Sequence, residues 1–241
     1  MPARKMEPAW SYAAAAVLAA LIVTPPPPSR AQLPAAARVL VLAPALDDTR
    51  VELVRDAVAF WNSAFQELGL LPALAEPVVV VSSPATRALE NYARKVSRAA
   101  GRPAAGPLEP DPPVELAALE AEVVVLLSAQ RLMPFAWPLP RTRRFFVAVD
   151  SDPSATAHGL RRVVAHEIGH TLGLRHLRGD PDAVMCMPCS RSRAGDAAEE
   201  HPRLSDRERS QLLELYSAAP ALPGGGANVT GARSCAVDQS C

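Results

Sequence analysis

The segment that most constrains this chain is residues 160–176, which read LRRVVAHEIGHTLGLRH. Its apolar residues recur at three- and four-residue steps, which predicts a helix with one buried face. His166 and His170 are four residues apart and therefore lie one turn apart on the same helix face. Gly173 tolerates a positive φ, so it predicts a turn that ends the helix and brings His176 back toward the other two histidines.

The start of this helix is predicted from its polar residues. Either Ser154 or Thr156 is suitable as the N-terminal cap, because a hydroxyl oxygen accepts a hydrogen bond from the first free backbone N–H groups. From that cap we expect the helix to run to Leu172.

Three histidines in this arrangement are nitrogen ligands for one zinc ion and leave one coordination position open. Glu167 is next to the first ligand, where its carboxylate can act on a water without binding the metal. The sequence therefore predicts that His166, His170 and His176 bind one catalytic Zn²⁺. Zinc would activate a water for attack on a peptide carbonyl, and Glu167 would take the water proton and pass it to the leaving amine.

The first 31 residues have the pattern of a signal peptide. Arg4 and Lys5 precede an apolar run at 13–23, and residues 29–31 (SRA) are a suitable cleavage site. The run is too short to span a bilayer comfortably, which takes about 20 apolar residues. We therefore expect a secreted or periplasmic protein, with an uncleaved anchor as the alternative. The rest divides into a catalytic domain at 32–219 and a flexible, cysteine-containing tail at 220–241.

The body of the chain predicts strands that alternate with helices, which is typical of an α/β layered fold. Short apolar runs predict strands at 38–42, 77–81, 122–127 and 145–150, of which the second is expected to be buried. Residues 85–100 are weakly helical.

A longer helix is predicted between the first two strands. Thr49, with Glu52 three residues later, predicts a capping box at its start, and Gly69 predicts its end. The apolar residues of one face predict the side that packs on the core: Val51, Val54, Val58, Trp61, Phe65 and Leu68.

The eleven residues HEIGHTLGLRH resemble the long zinc-binding signature of the metzincin clan of metallopeptidases. Those enzymes also place a methionine in a tight turn beneath the zinc, and Met185, preceded by Ala183 and Val184, is similar to that Met-turn. The order of predicted elements most resembles the matrixin branch. Residues 203–217 look like its closing helix, opened by a capping pair at Ser205 and Glu208.

The resemblance implies a fold and an activity. The implied fold is a zincin-type α/β (α+β) fold, in which a twisted mixed β-sheet packs on the zinc-binding helix and a C-terminal helix follows. The implied activity is that of a zinc metalloendopeptidase whose extended substrate lies antiparallel to an edge strand. Phe145–Val149 is our candidate for that edge.

The four cysteines, Cys186, Cys189, Cys235 and Cys241, are the possible disulfide-forming residues. An even number in an exported chain indicates disulfides, and we expect bonds between the first pair and the tail pair. The first pair also forms a CxxC, which resembles part of the second, cysteine-bound zinc site of archaemetzincins. That family has a cysteine after its third histidine, where this chain has Leu177. Disulfide pairing and a second zinc both stay open here.

The remaining expectations concern partners and rival functions. The formal net charge is +0, which gives no electrostatic reason to expect a nucleic-acid partner. We expect a protein or peptide substrate, and no stable membrane association unless the signal segment stays attached. Two alternatives to an endopeptidase are an archaemetzincin-like aminopeptidase of narrow specificity and a non-catalytic, zinc-stabilised binding module. A binding module usually loses the glutamate or a ligand, and this chain retains Glu167 and the three histidines.

Overall fold

The computed structural model describes residues 36–100, 110–151, 156–187, 189, 201 and 203–217. The predicted signal peptide and the predicted tail lie outside these residues. The strands are β1 (Val39–Ala43), β2 (Val78–Val81), β3 (Val123–Leu127), β4 (Phe135–Pro138) and β5 (Phe145–Val149). The helices are α1 (Arg50–Glu67), α2 (Thr86–Ala100), α3 (Val114–Ala118), α4 (Ala157–Thr171) and α5 (Asp206–Tyr216).

Within the described residues the strands form one mixed five-stranded sheet of order β2-β1-β3-β5-β4. β4 runs antiparallel to β5, and the other neighbours pair in parallel. Helices α1 and α4 pack on one face, and α2 and α3 pack on the other. β3 and β5 are buried at every position because both faces are covered. The predicted mixed sheet is confirmed, and it packs on α4, the helix that carries the predicted zinc ligands. Among these helices none has the length and apolarity needed to cross a bilayer.

The prediction that the second strand is buried is wrong. β2 pairs with β1 only and forms one edge of the sheet. Val78 and Val80 on its outer face are 61% and 37% exposed. A run of four valines is apolar enough for a central strand, and pattern alone does not distinguish that case from a half-covered edge strand.

The candidate substrate edge at Phe145–Val149 is also wrong. This strand lies between β3 and β4, and the antiparallel edge is β4, which was not among the predicted strands. β4 ends at Pro138, and a proline is a signal against a central strand but is tolerated at an edge. The uninterrupted apolar run of β5 is instead typical of an interior strand.

The start of α1 differs from the predicted capping box. The Thr49 side chain makes no capping hydrogen bond, because its own backbone is already helical at φ −58° and ψ −21°. Asp48 takes the role instead, and its Oδ1 accepts a hydrogen bond from the Arg50 N–H at 3.0 Å. The predicted core face is confirmed, and Gly69 follows the end of α1 with φ +69°.

Helix α1 holds α4 through a buried tryptophan. Trp61 is 0% exposed, and its Nε1–H donates to the Ala165 carbonyl at 2.8 Å. One turn further along α4, Gly169 has no side chain where Trp61 and Met185 approach. A Cβ at this position would lie 2.8 Å from Trp61 Cζ2 and 2.5 Å from Met185 Sδ. The absence of a side chain at Gly169 therefore sets how closely α4 packs on both residues.

Gly169→Ala is expected to destabilise the fold. The added methyl group has no room, and overpacking of this kind costs about 1–3 kcal/mol of unfolding free energy. Urea unfolding of the zinc-loaded chain measures this cost. In a Met185→Ala background the cost should fall but not vanish, because the contact with Trp61 remains. An equal cost in both backgrounds would contradict the packing account.

Candidate metal centre

Helix α4 is built as the sequence predicts. Thr156 is the N-cap, and its Oγ1 accepts a hydrogen bond from the Gly159 N–H at 3.0 Å. Ser154, the other candidate cap, lies outside the described residues. The helix ends at Thr171, and Gly173 adopts φ +86°, a conformation that favours glycine. The chain therefore turns directly after α4 and brings His176 back to the helix.

The three predicted ligands meet at one point. His170 Nε2 lies 3.1 Å from His176 Nε2, which in turn lies 3.1 Å from His166 Nε2. All three side chains are partly exposed, so solvent reaches them. The fold thus brings together three imidazole nitrogens from residues that are up to 10 positions apart in the sequence.

Backbone carbonyls orient two of these rings. His166 Nδ1 lies 2.8 Å from the Val184 carbonyl, and His170 Nδ1 lies 3.0 Å from the Leu174 carbonyl. A carbonyl only accepts, so each Nδ1 carries the hydrogen and each Nε2 keeps its lone pair. Such an outer hydrogen bond is the usual way in which a metal-binding histidine is fixed.

The electrostatics also keep the rings neutral. Burial lowers the pKa of His166 to about 4 and that of His170 to about 3, and neighbouring histidines add to both shifts. Burial also lowers the pKa of His176, as does the charge of Arg178. Neutral imidazole is the form that binds a metal ion.

These residues fit a zinc ion. With Zn–N distances of about 2.0–2.1 Å, two tetrahedral ligands stand roughly 3.3 Å apart, close to the 3.1 Å separations here. Converging lone pairs repel one another unless a cation or a shared hydrogen lies between them. His176 Nε2 carries at most one hydrogen and so satisfies at most one of its two neighbours. The donor set, three nitrogens open to solvent, is typical of a catalytic rather than a structural zinc site.

Glu167 lies beside this cluster without joining it. Its side chain is 8% exposed, and burial raises the pKa of its carboxyl to about 8, although a hydrogen bond from the Ala136 backbone opposes the shift. Ala136 belongs to the edge strand β4. The predicted base therefore lies between the histidine cluster and the edge of the sheet.

The predicted Met-turn lies beneath the histidines. Met185 is 0% exposed, and its sulfur contacts the α4 backbone at Gly169. Its carbonyl accepts from the Leu177 N–H at 2.6 Å, and the Met187 N–H donates to the Leu177 carbonyl at 3.1 Å. Because Leu177 directly follows His176, these bonds tie the turn to the third ligand.

Glu208 has a second role besides the helix cap that its sequence position predicts. The capping box with Ser205 is confirmed in both directions. The same carboxylate, which is 0% exposed, also accepts from the Met185 N–H at 2.7 Å through Oε1. The closing helix α5 therefore holds the Met-turn by its backbone. The only sequence signal for this second role is an acidic residue in the first turn of α5. The capping box already explains that residue, so the bond to Met185 could not be predicted.

Cys186 and Cys189 are bonded to each other. A disulfide joins Cys186 to Cys189, with a Cα–Cα distance of 4.8 Å. This corrects the expected bonds to Cys235 and Cys241, which lie outside the described residues. The physical reason is proximity, since the turn after Met185 brings the two cysteines within the range that a disulfide spans.

A known family of proteins matches much of this sequence. The matrixin family model matches residues 91–217, more than half of the 241-residue chain. The chain belongs to the matrixin family. Matrixins are zinc metallopeptidases, so the histidine cluster and Glu167 belong to a hydrolase that acts on peptide bonds.

The comparisons with solved structures and with curated sequences show weaker similarity or none. The solved structure of archaemetzincin from Methanopyrus kandleri is similar at 19% sequence identity and a TM-score of 0.37. The match covers 75% of this chain and 96% of that one. A likeness of this degree carries no conclusion about substrate or reaction. No curated protein sequence matches the chain.

Glu208→Gln is expected to weaken both the fold and the metal centre of this matrixin. The amide retains one acceptor, so either Met185 or Ser205 loses its partner, and a buried unpaired group costs about 1–3 kcal/mol. Urea unfolding and competition of bound zinc with a chelator measure the two effects. Glu214→Gln, at an exposed position of the same helix, is the matched control. Equal stability and zinc affinity in both variants would contradict the proposed clamp.

The stability of the metal-free chain is expected to depend on pH through Glu167. Its pKa is about 8 in the folded state and 4.5 as the ordinary value. Between these values the folded carboxyl holds a proton that the unfolded one has lost, so stability present below pH 4.5 falls as pH rises. Glu167→Gln stays neutral, so its advantage over wild type should grow across this window and level off near pH 8. Urea titrations at several pH values test this, and an advantage independent of pH would contradict it.

Proposed function

We propose that this matrixin is an exported zinc endopeptidase in which Glu167 is the general base. The position of Glu167 carries the proposal: it adjoins the first predicted ligand on α4, and α4 packs against the edge strand β4. It joins the base, the neighbouring histidine ligands and the free edge of the sheet in one continuous site.

Zinc held by His166, His170 and His176 would supply Lewis acidity, which lowers the pKa of water and polarises a carbonyl. The protein supplies the proton transfer. Without the metal ion, burial raises the pKa of Glu167 to about 8. A divalent cation bound beside it would favour the carboxylate, which is the form that accepts a proton. Glu167 can therefore take a proton from the attacking water and donate it to the leaving amine.

Strand β4 supports internal cleavage of an extended chain. It lies at the edge of the sheet and pairs only with β5 among the described strands. The Leu139 N–H donates to the Arg144 carbonyl, and in this antiparallel register the alternation of the ladder turns the Ala136 N–H away from β5. The backbone of an extended peptide paired with this free edge would lie next to Glu167. Such pairing uses backbone groups and does not require a free chain end.

Two features support export. The first 31 residues carry the signal-peptide pattern described above. The Cys186–Cys189 bond is of a kind that persists in oxidising compartments and is rare in the cytosol. We therefore assign the chain to the periplasm or the extracellular space.

The endopeptidase proposal is tested with the exported chain on casein and on peptides blocked at both ends. Wild type should cleave both at internal bonds. Glu167→Ala should lose about 10²–10⁴-fold in kcat/KM, the usual contribution of a general base. Its zinc content should be unchanged, since Glu167 is not a ligand.

Three other outcomes would indicate a different function or a different role for Glu167. Cleavage only of peptides with a free amino terminus would indicate an aminopeptidase. Bound zinc without cleavage in wild type would indicate a binding module. Unchanged cleavage by Glu167→Ala would contradict the assigned role of the base, and Glu214→Gln again controls for loss of one carboxylate.

A further inference from the structure

Two sets of possible metal ligands overlap at one histidine. The first is the cluster of His166, His170 and His176. The second joins His166 to Cys186 and Cys189, with one nitrogen and both sulfurs within 4.8 Å of one another. The C-x₂-C spacing of the second set is typical of zinc ligands.

The shared histidine makes the two sets exclusive. A neutral imidazole offers one lone pair, because its other nitrogen carries a hydrogen. His166 therefore binds an ion together with the other histidines or together with the cysteines, but not both. The oxidation state of the cysteines selects between these possibilities, since the sulfurs of a disulfide have no thiolate charge to give.

Reduction of the disulfide makes the second set competent. A dithiol of the thioredoxin class donates two electrons and two protons by thiol–disulfide exchange, which breaks the Cys186–Cys189 bond and leaves the dithiol as a disulfide. A divalent ion then replaces the two thiol protons, which are released to solvent. Zinc binds thiolate sulfur at about 2.3 Å, so the two sulfurs would separate once their bond is broken, while the His166 nitrogen would approach them by about 1 Å.

We propose that reduction of the Cys186–Cys189 disulfide moves the metal ion from the three-histidine centre to a thiolate centre formed by Cys186, Cys189 and His166. Two anionic sulfur ligands bind zinc more strongly than the two neutral imidazoles that they replace. In a reducing compartment the ion is held away from His170 and His176. Exchange with a partner disulfide, which takes up the two electrons and becomes a dithiol, re-forms the Cys186–Cys189 bond and releases the ion to the histidines. This inference goes beyond the proposed peptidase activity and does not depend on it.

Cobalt(II) in place of zinc tests this, because thiolate ligands add a charge-transfer band in the near ultraviolet. The full chain carries Cys235→Ser and Cys241→Ser, so that the tail contributes no thiol. It is examined oxidised, and again after reduction with dithiothreitol and anaerobic gel filtration. We expect one cobalt per chain in both states and the thiolate band only after reduction.

Variants separate the ligand sets. Cys189→Ser, in the same background, should lose the band. His176→Ala should retain it, because His176 does not belong to the thiolate centre, and circular dichroism checks that this variant is folded. Should it be unfolded, the cobalt count of the parent chain still decides.

Three results would overturn the proposal. No thiolate band after reduction would show that the sulfurs do not bind the ion. Two cobalt ions per reduced chain would show that the sets are independent. A band that is lost in folded His176→Ala would show that a thiolate adds to the intact histidine cluster. None of these results depends on peptide cleavage.

Discussion

The missing side chain at Gly169 lets the zinc-binding helix rest directly on its supports. Trp61 and Met185 both approach the α4 backbone at this point, and either contact is too close for a methyl group. Trp61 also bonds the carbonyl of Ala165, the residue before His166. The helix is therefore fixed along the turn that carries His166, Glu167 and His170. Catalytic groups gain precision when they stand on a rigid element in this way.

The support continues outward through backbone groups. In the Met-turn, the Val184 carbonyl accepts a hydrogen bond from His166 Nδ1–H, and the Met185 N–H donates to the Glu208 carboxylate. Burial meanwhile favours uncharged forms of both ligand and base: it lowers the pKa of His166 and His170 and raises that of Glu167. A cation brought to this cluster meets lone pairs that are already oriented, and little energy is spent on turning the rings.

The sequence predicted the histidine cluster and much of the scaffold around it. His166, His170 and His176 were predictable because ligand spacing, a helix period and one glycine turn are local properties. The Ser205–Glu208 cap was predictable for the same reason. What was missed depends on neighbours distant in the chain. The edge positions of β2 and β4 follow from strand order, which a single strand does not encode. The second bond of Glu208 joins residues 23 positions apart.

The clamp between Glu208 and Met185 also has a consequence for biosynthesis. A ribosome makes the chain from the amino terminus, so all three histidines and the Met-turn emerge before the carboxylate that holds the turn. Until Glu208 arrives, the Met185 N–H lacks its partner and the floor of the site is incomplete. The floor of the histidine cluster is therefore complete only in a chain that includes α5. A chain that ends before Glu208 lacks the hydrogen bond that fixes the Met-turn under the three histidines.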